Sequence, residues 1–354
     1  MTSTSRIAER FGTLFFLLGI LVVIIFLGFL NKGPSVLAPE FLLQILLIGI
    51  SNGAIIALIA LGYTLVYGII ELINFAHGDV FMLGIMLSLT LINFVPQALF
   101  GVAQARNLDT IPLVVLLFGT LVCSMVFCAV LNASIERVAY RRLRHAPKLA
   151  PLISAIGVSF ILVNVGLIWK GASQVNFPNV IPSTDLFRDV LGIETSVFFT
   201  VKDLSVILIT IPLIVGLRLF INRTRLGKAM RATAQDRDAA AMMGIDINLT
   251  ITLTFLLGGA LAGAAGLIFG LYTNSAWFFH GFRTGLLAFT AAVLGGIGNV
   301  TGAALGGILI GIVQASSDFM FDGRWTQATV FAMLVLILIF RPTGLLGEET
   351  PERA

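Results

Sequence analysis

Two stretches of this 354-residue chain limit what it can fold into. Residues 41–70, thirty in a row, and residues 284–317, thirty-four in a row, contain no charged side chain. Runs of this kind belong in a lipid bilayer, whose hydrocarbon core is about 30 Å thick and takes about 20 apolar residues per helix. As single straight helices the two runs would reach about 45 and 51 Å, so each must tilt, break or fold back. The composition agrees: 58% of residues are hydrophobic and 11% charged, against about 25% charged in a soluble domain. The sequence predicts an all-α polytopic transmembrane bundle, a single domain over residues 1–354. The net charge of +4 is small, and no basic run or Arg–aromatic pattern points to nucleic acid. Cys123 and Cys128 fall in one apolar run and read as small buried side chains, not a disulfide or metal pair.

Ten spans are expected, at about 11–30, 41–62, 80–97, 111–133, 150–169, 204–221, 248–271, 285–298, 301–317 and 327–340. No small-residue cleavage site follows the first, so residues 1–38 read as an extra N-terminal helix with its loop, not a signal peptide. Residues 63–79, YTLVYGIIELINFAHGD, read as a partly embedded connection after the second span. In the 284–317 run, GGIGNVTG at 295–302 is the natural break. Residues 134–148 carry Arg137, Arg141, Arg142, Arg144 and Lys148 against Glu136 alone, and residues 222–247 form a second basic loop. The positive-inside rule puts both in the cytoplasm and the 170–203 loop outside. Both termini, including the 341–354 tail, then lie in the cytoplasm.

The 222–247 loop, NRTRLGKAMRATAQDRDAAAMMGIDI, is a polar island between two uncharged stretches. Lys228 to Met243 contains neither Gly nor Pro, is rich in helix-forming Ala and Met, and reads as one short helix. Gly244 stands where a helix-ending glycine would. Met230, Ala234 and Met243 are expected on one face, opposite Arg231, Gln235 and Asp238. A small amphipathic helix between two spans offers a docking knob to a soluble partner. An ordinary cytoplasmic loop held by its basic residues fits the same spacing.

Two further patterns bear on function. Glycines stand four apart at Gly259 and Gly263, and at Gly298, Gly302 and Gly306. Small residues at this spacing let helix backbones approach closely in lipid, as plain packing or as smooth faces for sliding. Tyr63, Tyr67, Glu71, Asn74, His77 and Asp79 form a polar cluster after Asn52 in the same region. Ionisable groups at membrane depth are costly and mark a pathway or gate, whereas at the interface they would simply be solvated. His77 has no second His or Cys nearby, so no metal site is expected. No HExxH or Walker P-loop occurs. Ion-coupled carriers commonly place acids in mid-span, and residues 41–70, 149–169, 247–279 and 284–317 contain none. That favours a conduit driven by a partner motor over a secondary carrier or a membrane enzyme.

Several stretches carry a resemblance. NGAIIALIALGYTLVYGIIELINFAHGDVFMLG (52–84), LAPLISAIGVSFILVN (149–164), RATAQDRDAAAMMGI (231–245), LLAFTAAVLGGIGNVTGAALGG (286–307) and RPTGLLG (341–347) resemble signatures of the LivH-type permease of branched-chain amino acid ABC importers. The likeness covers about residues 40–347. Asp238-Ala239-Ala240 followed by Gly244 resembles the EAA-x3-G pattern through which import permeases contact their ATPases, with Asp in place of Glu. The resemblance implies that Arg231, Gln235, Asp236, Asp238, Ala239, Ala240 and Gly244 contact the ATPase. Leu287 departs from the family, which often has Lys there. The implied machine is an importer in a prokaryotic cell membrane, for branched-chain or related amino acids, or for urea or short amides in the same class. It would hold this chain, a second LivM-like permease, two ATPase subunits and an extracytoplasmic binding protein. This chain would carry no cofactor, and ATP would bind on the partner subunits.

Overall fold

A computed structural model describes residues 38–347 apart from 72, 73, 145, 148, 322 and 342, together with residues 19 and 33. The span expected at 11–30 and the end of the tail lie outside the described residues. Eleven α-helices occur among the described residues: α1 Pro39–Ile70, α2 Ala76–Phe100, α3 Thr110–Ile135, α4 Leu149–Lys170, α5 Val201–Arg223, α6 Arg225–Gln235, α7 Arg237–Met242, α8 Ile247–Thr273, α9 His280–Gly295, α10 Val300–Phe321 and α11 Thr326–Phe340. Seven are long and apolar enough to cross a membrane: α1, α2, α3 with its continuation to Leu143, α4, α5, α8 and α10. The chain is therefore a multi-pass helical membrane protein. Helix α11 is apolar but shorter, at 15 residues, and α9, at 16 residues, carries His280 and Arg283 in its first turn.

The first junction differs from expectation. Helix α1 does not stop near residue 62 but continues for 32 residues to Ile70, a length of about 48 Å. Tyr63 and Tyr67 are thus helical residues, not part of a connection. The last turns, Tyr63–Ile70, are uncharged and mostly buried by neighbouring helices, so protein rather than lipid covers the extra length. The helix ends at Glu71, the first charge after the run, which takes a left-handed backbone (φ 55°) while its N–H donates to the Tyr67 carbonyl.

Backbone proximity sets the interior. A Cβ on Gly53 of α1 would lie 2.6 Å from the Ile308 Cα of α10, and one on Gly49 would lie 2.7 Å from the Ile312 Cα. From the α10 side, Gly307 and Gly311 lie against Ala57 and Gly53. Gly259 and Gly263 of α8 abut Ala129 and Met125 of α3, and Gly266 abuts Ile85 of α2. Each contact brings two backbones together with no side chain between them, the geometry that holds helices in lipid. Gly302 and Gly306 of α10 face Gly295 and Ala291 of α9, but Gly298 lies on no helix: it has φ +93° in the α9–α10 turn. Helices α3, α4 and α5 are peripheral and expose large apolar side chains such as Ile111, Phe118, Phe160, Ile168 and Leu208.

The loops fall into two sets, one at each end. Strand β1 (Val175–Asn176) pairs antiparallel with β2 (Ser275–Ala276), so the α4–α5 and α8–α9 loops share one end. At the other end Arg144 donates to Asn248, and the Leu345 and Leu346 N–H groups donate to the Leu294 and Gly295 carbonyls. The RPTGLLG segment is thus docked in the α9–α10 turn at least over 344–347.

The α1–α10 contact predicts opposite signs for one substitution. Gly53→Ala should destabilise the bundle by about 1–3 kcal/mol through overpacking. Gly119→Ala, with nothing within 4 Å of its added carbon, should be neutral or stabilising, since Ala is the better helix former. Thermal unfolding of the purified protein in detergent reads both.

Candidate functional site

The polar residues expected between 63 and 79 converge where α1, α2, α4 and α9 meet. Glycines make the approach possible. A Cβ on Gly78 would lie 2.5 Å from the Gly281 carbonyl and 3.0 Å from the Gly285 Cα, both of α9. The His77 ring lies against Gly62 of α1, where no larger residue fits, and stacks edge-on to Tyr63 with centroids 4.8 Å apart. Tyr63 in turn meets Phe289 of α9, edge to face at 6.2 Å. A small cavity beside them is lined by Tyr63, Tyr67, Asn74, Phe289, Ala292 and Ile297.

Asp79 sits at the centre, 1% exposed. Ser159 of α4 donates to its Oδ2 at 2.5 Å. Its Oδ1 points to Gly281, the second residue of α9, where an added Cβ would lie 2.6 Å away. The N-terminus of α9 carries the positive end of the helix dipole, which favours a carboxylate there. Asn74 is 3% exposed and accepts a hydrogen bond from Tyr140 Oη at 2.7 Å. This arrangement can change hydrogen-bond partners when helices shift. Among the described residues no group of three or more His, Cys, Asp or Glu could hold a metal.

Two members of the expected cluster stand apart. Glu71 is exposed at the end of α1. Asn52 lies eleven residues before Tyr63 on α1, about 16 Å along the axis. Asn52 also belongs to Gly49-Ile50-Ser51-Asn52-Gly53, which has the spacing of a hydrolase nucleophile turn. Here the pentad is plain helix, and Ser51 Oγ donates to the Leu47 carbonyl, so it supplies no nucleophile.

The 222–247 island is two helices, not one. Asp236 interrupts it with extended backbone (φ −156°, ψ 113°), and its Oδ1 accepts from the Asp238 and Ala239 N–H groups, both at 3.0 Å. Asp is among the preferred residues for capping a helix N-terminus in this way. Helix α7 ends at Gly244, φ +82°, with Gly244 N–H bound to Ala241 O and Ile245 N–H to Ala240 O. That pair of bonds is the left-handed glycine stop. The break separates Met243 from Met230 and Ala234, which lie together on α6 and already differ in burial, so the expected shared face does not form. Met230 is buried, Ala234 is exposed, and Met243 is 83% exposed beside Met242 at 82%. Arg231, Gln235, Asp238 and Ala239 are exposed, whereas Ala240 is buried against its own chain.

Beneath the arm, Glu136, 1% exposed, is paired with Arg144 and accepts from Thr252 Oγ1 at 2.8 Å. Burial lowers the Arg144 pKa from its ordinary value, and the Glu136 carboxylate opposes that shift. Arg237, the first residue of α7, donates to the Ile69 carbonyl at 2.6 Å. Ser159, Tyr140 and Arg237 thus join the site without having stood out in the sequence.

Replacing Ser159 by Ala should leave neither Asp79 oxygen hydrogen-bonded and cost about 1–3 kcal/mol. The same change at exposed Asn164 on the same helix should stay within about 0.5 kcal/mol. Thermal midpoints of the two variants check the difference.

Comparison with known proteins adds the family. The model of the branched-chain amino acid transport system / permease component matches residues 45–338. The high-affinity branched-chain amino acid transport system permease protein BraD of Pseudomonas aeruginosa is 40% identical over 311 residues, 88% of this chain and 97% of the relative. The LivH permease protein of Escherichia coli K12 is 36% identical over 313 residues, 88% and 98% of the two chains. A probable LivH permease protein of Methanocaldococcus jannaschii is 28% identical over 320 residues, 85% and 92% of the two. No solved structure matches. The matched range holds the whole polar cluster and the α6–α7 arm, and over it this chain belongs to the branched-chain amino acid transport system permease family.

Proposed function

We propose that this chain is one permease half of an ATP-driven importer for branched-chain or related amino acids, worked through its α6–α7 arm. The observation that carries the reading is the build of that arm. Its base is fixed by buried Met230, Thr233 and Ala240, while Asp238, Ala239, Met242 and Met243 are presented outward. Two methionines more than four-fifths exposed, on a helix stopped sharply by Gly244, suit docking into a partner groove, since Met adapts to irregular apolar surfaces. The relatives named for branched-chain amino acid transport favour that solute class over urea or short amides.

On this reading the chain crosses the membrane ten times, with both termini and the arm in the cytoplasm. The β1–β2 end faces outward to an extracytoplasmic binding protein. A second, LivM-like permease supplies the other wall of the path. Two ATPase subunits bind and hydrolyse ATP, and this chain holds no cofactor. Gly259 and Gly263 of α8, with Gly302 and Gly306 of α10, give the faces along which helices shift.

Reconstituted with its second permease and ATPases, the complex should hydrolyse ATP faster when loaded binding protein is added. This chain alone in liposomes should take up no solute under an ion gradient; gradient-driven uptake would overturn the reading. Asp238→Arg, or Met242→Glu with Met243→Glu, should weaken ATPase binding by about 1–2 kcal/mol, roughly 5- to 30-fold, with membrane insertion unchanged. Co-purification of the ATPases with each variant checks this.

A further inference from the structure

The α1–α2 junction is held from outside by three side chains on three other elements. Ser159 of α4 binds Asp79, Tyr140 after α3 binds Asn74, and Arg237 of α7 binds the Ile69 carbonyl. The third comes from the arm. Ile69 O is among the last carbonyls of α1, which have no partner within the helix, and a cation is favoured at that end of the dipole. Arg237 forms no ion pair among the described residues, because the nearby carboxylate, Glu136, is engaged by Arg144. The arginine lies in a cleft with Ile70, Glu136, Tyr140, Arg144, Ile251 and Phe255. Its side chain therefore joins the arm to the end of α1.

The junction it grips is poorly satisfied. Nine buried side-chain polar atoms among the described residues find no hydrogen bond of sound geometry. Five of the nine lie between residues 64 and 79: Thr64 Oγ1, Asn74 Nδ2, both ring nitrogens of His77, and Asp79 Oδ1. Leaving such an atom unpaired costs about 1–3 kcal/mol, so this segment gains from any second arrangement that pairs them. The left-handed backbone of Glu71 marks the point where the chain turns.

We propose that Arg237 is the positioning residue that transmits movement of the α6–α7 arm to the α1–α2 junction, through its hydrogen bond to the Ile69 carbonyl. The Tyr63–Asp79 cluster then rearranges in step with the ATPases. This rests on the importer reading above, and the experiment separates the two. In the assembled complex, R237M should leave ATPase co-purification and basal ATP hydrolysis intact. Stimulation by loaded binding protein, and uptake, should fall about 5-fold or more, the scale of an ordinary coupling between sites. R237K, which keeps a donor, should recover part of the loss. Cys123, expected to be buried, is exposed on α3, whereas Cys128 is buried; in a Cys123→Ser background, Glu71→Cys should change its thiol-labelling rate when the ATPases are trapped with ATP and vanadate, and R237M should abolish that change. Parental stimulation in R237M, a labelling change that persists, or loss of the ATPases from the complex would each overturn the proposal. Should R237M fail to accumulate, R237A carries the same comparison with the same two outcomes. A parental complex without stimulation would defeat the importer reading instead.

Discussion

Direct backbone contact between α1 and α10 is the constraint on which the rest of the bundle depends. Lipid offers helices no hydrophobic reward for associating, so they are held by fit. Gly49 and Gly53 against Ile312 and Ile308, answered by Gly307 and Gly311 against Ala57 and Gly53, leave no layer of side chains between the two axes. That closeness fixes α1 as the central post. Helices α8 and α9 then pack on it, and α2 can bring His77 up to Gly62. The polar cluster is a product of this packing, since it occupies the place where three small-residue faces cross.

Seven of the expected spans match helices long and apolar enough to cross, legible because a membrane helix satisfies its own backbone and announces itself as an apolar run of fixed length. The first junction was misplaced for a physical reason. A limit of one bilayer thickness holds for a helix surrounded by lipid, and α1 is covered by protein over most of Ser51–Ile70. The division of the island at Asp236 had a readable sign, a capping residue before Arg-Asp-Ala-Ala, but the helix-forming composition on both sides outweighed it. Gly298 followed the four-residue spacing and still proved to be a turn residue, because spacing alone does not distinguish a helix from the glycine that ends one.

The site was legible as a cluster but not as a set of bonds. Tyr63, Asn74, His77 and Asp79 are close in sequence and remain close in space. Ser159, Tyr140 and Arg237 are their partners only through tertiary crossing, each from a different element. No periodicity in those segments distinguishes them from an ordinary helix serine or loop residue. The family match identifies a transport permease, while the pattern of bonds inside it came from the fold.

The glycine crossing beside Asp79 has a steric consequence. Gly78 and Gly281 meet so closely that a Cβ on either would fall within 3.0 Å of the other helix's backbone, and one on Gly285 would lie 3.1 Å from the Gly78 Cα. At Gly78 and Gly281 the floor under the carboxylate therefore has no room for a side chain. The aromatic walls of this chamber, Tyr63, His77 and Phe289, meet edge to face and do not rest on that glycine crossing alone.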